Sequence, residues 1–138
     1  MKENFFTLTI FLLLSTATLV WSQKTPETCS VTYIANDGFL VETRDHKVLI
    51  DAVFGNVKGD WCDQPSDSAS EMMIKGNKTS DNVDLLLVTH YHVDHFNTQM
   101  TINFLKNNQK TILICPDQVN ESLKSNPDYP HVSERINS

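Results

Sequence analysis

Positive charge is scarce in this sequence. Its 138 residues include 11 lysines and arginines against 17 aspartates and glutamates, which gives a formal net charge of −6. A chain of this sign lacks the basic surface that attracts nucleic acid, so we expect no nucleic-acid partner. Only 4 residues are glycine, and no internal repeat or low-complexity tract is present. These absences exclude collagen-like and repeat architectures, and the length fits one ordinary domain.

Cysteine is also scarce, and its spacing excludes a zinc knuckle. The 3 cysteines form no CxxC pair. In an oxidising compartment a bridge between Cys29 and Cys62 is possible, although the sequence alone does not establish it. Cys115 ends an apolar run and is predicted to be a buried thiol.

The N-terminus has the layout of a secretory signal peptide. A short polar start is followed by the apolar stretch Phe5–Val20, and Val20-Trp21-Ser22 suits a cleavage site before Gln23. The alternatives are an uncleaved membrane anchor and a buried helix, but the apolar stretch is shorter than the roughly 20 residues of a membrane span. We therefore expect a signal peptide at 1–22, a secreted or periplasmic mature chain at 23–138, and no stable membrane anchor after cleavage.

Short apolar segments predict an antiparallel meander near the start of the mature chain. The segments Val31–Ala35, Phe39–Thr43 and Val48–Ala52 read as strands. The first two are joined by Asn36-Asp37-Gly38, residue types that tolerate the positive φ of tight turns. The polar segment Arg44–Lys47 makes the next turn.

A β-loop-α-β unit is predicted downstream of the meander. Val83–Val88 is an almost continuous apolar run that suits a buried strand, and Thr111–Cys115 is a second. Between them, apolar residues four apart indicate a helix over Thr98–Lys106. Open α/β sheets place their ligands at the carboxyl ends of such strands.

Two shorter helices and a polar tail complete the prediction. Ser68 and Glu71 have the spacing of a capping box, which favours a helix over Ala69–Lys75. A second helix is expected over Gln118–Lys124. The tail Ser125–Ser138 is polar, and we expect no strand or helix in it.

Three of the 5 histidines fall in the loop after the first buried strand. His90 and His92 are two apart, so in an extended segment both point the same way and can reach one ion. Asp94 and His95 diverge from each other and could serve a second ion, roughly 3.5–4 Å from the first. Imidazole and carboxylate without thiolate suit Zn²⁺, with Fe or Mn as possibilities.

The alternative is that these histidines are polar residues of a surface loop. For His46, in a turn, and His131, near the end of the chain, we adopt that alternative and assign no role. The close spacing of the cluster, directly after a buried strand, favours metal binding instead.

The segment Thr89–His95, THYHVDH, resembles the T-H-x-H-x-D-H signature of metallo-β-lactamase fold hydrolases. Tyr33–Glu42 and Val48–Asp51 are similar to the opening strands of that family, and Val83–Cys115 to its strand, metal loop, helix and strand. The resemblance covers residues 31–116. It implies an α/β chain that forms the N-terminal half of an αββα sandwich.

The resemblance also implies roles for individual residues. His90 and His92 would bind a first zinc ion, and Asp94 and His95 a second. Asp94 would also orient the attacking water, so that a metal-bound hydroxide attacks an ester, lactone, phosphodiester or amide-type small-molecule substrate. Asp51 would fix the orientation of a ligand from behind it, the alternative being a strand-end carboxylate that faces water.

The sequence departs from the family pattern beyond His95. The family has two further histidines and an aspartate as metal ligands, whereas here only His131 follows, in a proline-flanked tail. We therefore expect a truncated domain with little activity of its own and with one sheet face exposed. The alternatives are an inactive remnant, a weak metal-binding module, or an exported zinc-uptake protein, although the last would need further His- or Asp-rich tracts.

Overall fold

A computed structural model describes residues 28–55, 57–59, 61–75 and 80–138. The predicted signal peptide, 1–22, lies outside the described residues. Within them, no helix has both the length and the apolar character needed to cross a bilayer.

The described residues form one six-stranded sheet whose spatial order follows the chain. The strands are β1 (Ser30–Ala35), β2 (Gly38–Glu42), β3 (Lys47–Ile50), β4 (Leu85–Leu87), β5 (Ile112–Ile114) and β6 (Ile136–Asn137). The first three pair antiparallel, and β3 to β6 pair parallel. The predicted meander followed by a β-loop-α-β unit is confirmed.

Three α-helices within the described residues accompany the sheet, namely α1 (Asp67–Ile74), α2 (Thr98–Asn107) and α3 (Asp117–Lys124). Helix α1 begins two residues before the predicted start. Its N-cap is Ser66, whose side chain accepts a hydrogen bond from the Ala69 amide, so the predicted capping box at Ser68 was wrong. Both serines are good caps, and sequence alone does not choose between them.

The tail is more ordered than its polar composition suggested. Two short 3₁₀ helices, Tyr129–His131 and Ser133–Arg135, lead into β6, which pairs parallel with β5. The expectation of a tail without elements was therefore wrong. The Arg135 guanidinium secures this segment by donating to the carbonyl oxygens of Leu105 (2.7 Å), Asn108 (3.0 Å) and Thr111 (2.8 Å).

The core lies on one face of the sheet. Leu40, Leu49, Leu86 and Leu113 are buried there, in one cluster with apolar residues of the helices. Side chains alternate along a strand, so their neighbours point to the opposite face. On that face Val31, Tyr33, Phe39, Ile112 and Ile114 are exposed. The expected exposure of an apolar sheet face is therefore confirmed at Ile112 and Ile114, whereas Val48, Ile50, Leu85 and Leu87 are half-buried.

Strand direction decides which loops meet. β1, β3 and β4 run in the same direction, so the β1–β2 turn and the carboxyl ends of β3 and β4 lie at one edge of the sheet. His46 lies in the β2–β3 turn and His131 beside Arg135, both at the opposite edge.

Gly38 allows the β1–β2 turn to pack directly on the chain that leaves β3. A Cβ at this position would lie 2.9 Å from the Ala35 carbonyl oxygen and 3.2 Å from the Asp51 carbonyl oxygen. The first distance is shorter than Cβ contacts in proteins, and the second is tight. Asn36 and Asp51 adopt positive φ angles of 48° and 44°, which places both in the left-handed region.

The three cysteines are free thiols. Cys29 is exposed, Cys62 is half-buried and Cys115 is buried, and the possible bridge between Cys29 and Cys62 is not formed. Burial raises the pKa of the Cys115 thiol to about 11. The prediction that Cys115 is a buried thiol is confirmed.

Replacing Arg135 with methionine should loosen the tail. The substitution leaves three carbonyl oxygens without their donor, and we expect the free energy of unfolding to fall by about 2–4 kcal/mol. Urea denaturation would measure this. Lys110→Met, which removes one positive charge from an exposed side chain, is the control. Equal stability of the two variants would contradict the role of the guanidinium.

Candidate metal centre

The histidine loop is held at both ends by hydrogen bonds from backbone amides. On its strand side, the Val88 amide donates to the Ile114 carbonyl oxygen at 3.0 Å. On its helix side, the Asn97 side chain caps α2 by accepting from the Met100 amide. In between, the amides of His95 and Phe96 both donate to the His92 carbonyl oxygen, which closes a tight turn.

This turn gathers the three imidazoles of the loop. His90 Nε2 lies 3.0 Å from His92 Nδ1, and the ring centroids of His90 and His95 are 3.9 Å apart. His90 is half-buried, His92 is exposed and His95 is buried. The His90 and His92 rings therefore reach toward each other.

The Asp51 carboxylate holds the start of the histidine loop by two hydrogen bonds. It accepts a hydrogen bond from the Thr89 amide at 2.8 Å and another from Thr89 Oγ1 at 2.6 Å. Asp51 is only 3% exposed, so the alternative of a carboxylate facing water was wrong.

The Asp51–Thr89 hydrogen bond sets the proton arrangement of His90. A carboxylate only accepts, so the Thr89 hydroxyl directs its proton at Asp51. Thr89 Oγ1 is also 3.1 Å from His90 Nδ1 and must accept there. Nδ1 of His90 therefore carries the ring proton, and the lone pair is on Nε2, the nitrogen that faces His92. A partner that fixes the tautomer in this way is typical of metal-binding histidines.

His95 lies between three carboxylates. It is 7% exposed, and its Nε2 lies 3.2 Å from Asp37 Oδ2 and 3.5 Å from Asp94 Oδ2. Its Nδ1 is 3.1 Å from Asp51 Oδ2 but lacks the alignment of a hydrogen bond. A buried ring among carboxylate oxygens suits the neighbourhood of a cation.

Sequence reasoning missed Asp37, which it treated only as a turn residue. The donor atoms of Asp37, Asp94 and His95 all lie within 4.8 Å of one another. The side-chain amide nitrogen of Asn36, Nδ2, bridges the two carboxylates. It donates to Asp94 Oδ2 at 3.2 Å and to Asp37 Oδ2 at 3.3 Å. The available signal was the topology, which puts the β1–β2 turn at the edge where the histidine loop begins.

Negative charge extends beyond these residues. The pKa of the half-buried Cys62 thiol is raised, first by burial and then by the charges of Asp94 and Asp63. The pKa of Tyr33 is raised as well, chiefly because its hydroxyl donates to Asp63 at 2.9 Å. The field around the centre therefore favours cations.

The donor atoms have separations that a metal ion can use. In a tetrahedral site with bonds of 2.0–2.1 Å, two ligand atoms lie about 3.3 Å apart. The His90–His92 nitrogen separation is 3.0 Å. His95 Nε2 is 3.2 Å and 3.5 Å from the Asp37 and Asp94 oxygens. The four candidate ligands predicted from the sequence thus form two groups. His90 and His92 form a pair of nitrogen donors, whereas Asp94 and His95 form a group with Asp37.

Comparison with solved structures found nine matching chains. One is a proposed metal-dependent hydrolase from Parabacteroides distasonis ATCC 8503, at 16% identity and a TM-score of 0.48. The match covers 71% of this chain and 36% of that one, so the present chain spans well under two thirds of that structure. Among curated proteins, none matches.

Comparison with family models gives a direct assignment. Residues 46–137 match the model of the beta-lactamase superfamily domain. The match covers more than half of the chain and includes β3, the whole histidine loop, α2 and β5. The resemblance of Thr89–His95 to this group is thereby confirmed, and the chain belongs to the beta-lactamase superfamily domain family.

Proposed function

We propose that this protein is a zinc-dependent hydrolase. His90 and His92 would hold one ion, and Asp94 and His95 a second. The observation that carries the proposal is the spacing of the donor atoms, since nitrogen and oxygen atoms 3.0–3.5 Å apart match the ligand separations of a metal site. Family membership supports the same chemistry. Fe or Mn in place of zinc is compatible with imidazole and carboxylate donors.

A bound divalent ion would supply Lewis-acid chemistry, polarising a carbonyl or phosphoryl oxygen and activating water. The chain contributes the arrangement around it. Asp51 and Thr89 hold His90 in one tautomer, and the Asn36 amide fixes the Asp94 carboxylate. We assign Asp94 as the catalytic residue that orients the attacking water and accepts its proton. Its side chain is mostly buried yet reaches the cluster.

The substrate class we propose is a small molecule with an ester, lactone, phosphodiester or amide-type bond. The net charge of −6 disfavours nucleic acid. We further propose export to the periplasm or the outside of the cell, guided by the signal peptide pattern at 1–22, with no membrane anchor after cleavage.

The second candidate function is metal binding without hydrolysis. One observation favours it: His46 and His131 lie at the opposite edge of the sheet, so within the described residues no histidine outside the loop reaches the centre. The nitrogen pair of His90 and His92 then has fewer protein donors than the three of a catalytic zinc site.

Replacing both His90 and His92 with alanine tests the proposal. We expect the purified chain to bind about two zinc ions, and the double variant to lose about one of them, because one ion loses both imidazoles. Elemental analysis after dialysis gives the count. Hydrolysis of p-nitrophenyl acetate, bis-p-nitrophenyl phosphate, nitrocefin and a homoserine lactone is measured in parallel, and any activity should disappear.

The control is the double variant His46→Ala and His131→Ala, which removes two histidines from the opposite edge of the sheet. It should keep both zinc and activity. Zinc binding without turnover of any probe would favour the second candidate function, whereas absence of zinc in the unsubstituted chain would contradict both.

Replacing Thr89 with valine tests the tautomer assignment. Valine keeps the shape but removes the hydroxyl that accepts from His90, so we expect zinc affinity to fall about 10- to 100-fold. Thr89→Ser retains the hydroxyl and should stay near the original affinity. Nitrogen-15 shifts of the His90 ring should report a proton on Nδ1 in the unsubstituted chain and a mixed tautomer in Thr89→Val. Equal zinc affinity of the two variants would refute the assignment.

A further inference from the structure

We propose that Asp37, in the β1–β2 turn, is the third protein donor to the metal ion held by Asp94 and His95. The inference rests on the proposed function and deepens it. Of these three residues, the THYHVDH signature contains only Asp94 and His95, whereas Asp37 precedes His95 by 58 residues and lies in the turn between the first two strands. It reaches the site through the fold.

The β1–β2 turn is built to hold Asp37 at the centre. A Cβ at Gly38 would lie 2.9 Å from the Ala35 carbonyl oxygen and 3.2 Å from the Asp51 carbonyl oxygen, which leaves little room for a side chain. On the other side, Ala35 is buried, and Asn36 takes a positive φ while its amide spans the Asp37 and Asp94 carboxylates. These contacts fix the turn, so Asp37 is a preplaced donor.

His95 supplies an independent reason for a cation at this position. Its ring is more than nine-tenths buried, and its Nε2 faces oxygen atoms of both Asp37 and Asp94. Its Nδ1 is buried without a hydrogen-bond partner and lies on the other side of the ring, 3.1 Å from Asp51 Oδ2. Nε2 and the two carboxylate oxygens face one position. One ion bound to all three would balance the two negative charges there.

The exposure of the Asp37 side chain makes it accessible to an ion that arrives from solvent. Its side chain is 63% exposed, whereas that of Asp94 is 15% exposed and that of His95 is 9% exposed. Asp94 and His95 are thus the less exposed donors, and the Asp37 carboxylate is the one most accessible to solvent. Three protein donors with a place left for water is the composition of a catalytic metal site.

The donor set also indicates which ions this position prefers. Two carboxylates with one imidazole form a harder set than the nitrogen pair of His90 and His92. Carboxylate and water suit Mn²⁺, while imidazole suits Zn²⁺. We therefore expect Mn²⁺ to enter the Asp37 position before the His90–His92 position, and Zn²⁺ to occupy both.

The test is titration of the full chain with Mn²⁺ after removal of bound metal. Free Mn²⁺ is followed by its electron paramagnetic resonance signal, which falls as the ion binds. Asp37→Asn keeps the size and the turn-forming character of the residue but removes a charged donor. Loss of partners that only orient ligands costs about 10- to 100-fold in affinity, so loss of a direct donor should cost about 100-fold or more.

Asp63→Asn is the matched control. The charges of Asp63 and Asp94 both raise the pKa of the Cys62 thiol, so the two carboxylates lie in the same neighbourhood. The Asp63 carboxylate accepts a hydrogen bond from the Tyr33 hydroxyl and is not one of the three proposed donors. This variant removes the same charge from the same neighbourhood and should change Mn²⁺ affinity less than about 3-fold, as weak surface electrostatics predict.

A second readout guards against misfolding. In the absence of metal, Asp37→Asn should melt close to the unsubstituted chain, and Mn²⁺ should raise the melting temperature of the unsubstituted chain and of Asp63→Asn only. Asp37→Glu, which retains a carboxylate, should recover part of the affinity.

The outcomes separate the two levels of the proposal. Unchanged Mn²⁺ affinity in Asp37→Asn, or an equal loss in Asp63→Asn, overturns the role of Asp37 and leaves the proposed function intact. If the unsubstituted chain binds neither Mn²⁺ nor Zn²⁺, the proposed function itself fails.

Discussion

The buried residue Asp51 connects the three segments that meet at the edge of the sheet where the candidate metal ligands lie. It ends β3 in a left-handed conformation, and its amide donates to the Leu87 carbonyl oxygen of β4. Its side chain receives two hydrogen bonds from Thr89, and its carbonyl oxygen is the surface on which Gly38 packs. One residue thus joins the β1–β2 turn, the end of β3 and the start of the histidine loop. Any movement of Asp51 would displace all three.

This arrangement is costly for stability, which is a reason to assign it a function. Asp51 and His95 are both buried, and removing such groups from water costs several kcal/mol unless partners compensate. Thr89 compensates Asp51, but the buried Nδ1 of His95 has no hydrogen bond. A core built only for stability would place apolar residues here, as it does at Leu86 and Leu113. Departures of this kind concentrate at functional sites.

The elements that could be predicted from the sequence are those with a recognisable local pattern of residue types. The short apolar segment Val31–Ala35 and the apolar run Val83–Val88 predicted strands, and the spacing of the histidines singled out the loop that carries the candidate ligands. β6 was missed because its two residues are too few to show a period. Asp37 was missed because aspartate is common in turns for purely local reasons. Its importance depends on strand direction, a property of the whole sheet that no short window of sequence contains.

Metal binding at this edge would be coupled to folding, because the candidate ligands come from distant parts of the chain. Asp37 belongs to the β1–β2 turn and His95 to the loop after β4, so an ion shared between them would cross-link two elements far apart in sequence. An ion that binds only the folded state stabilises it by mass action. That gain acts on the edge of the sheet and leaves the outer face unchanged, where Ile112 and Ile114 remain exposed. Occupancy of the centre and covering of the apolar face would therefore affect the protein separately. A bound ion would stabilise the fold, whereas solubility would still depend on the exposed apolar face.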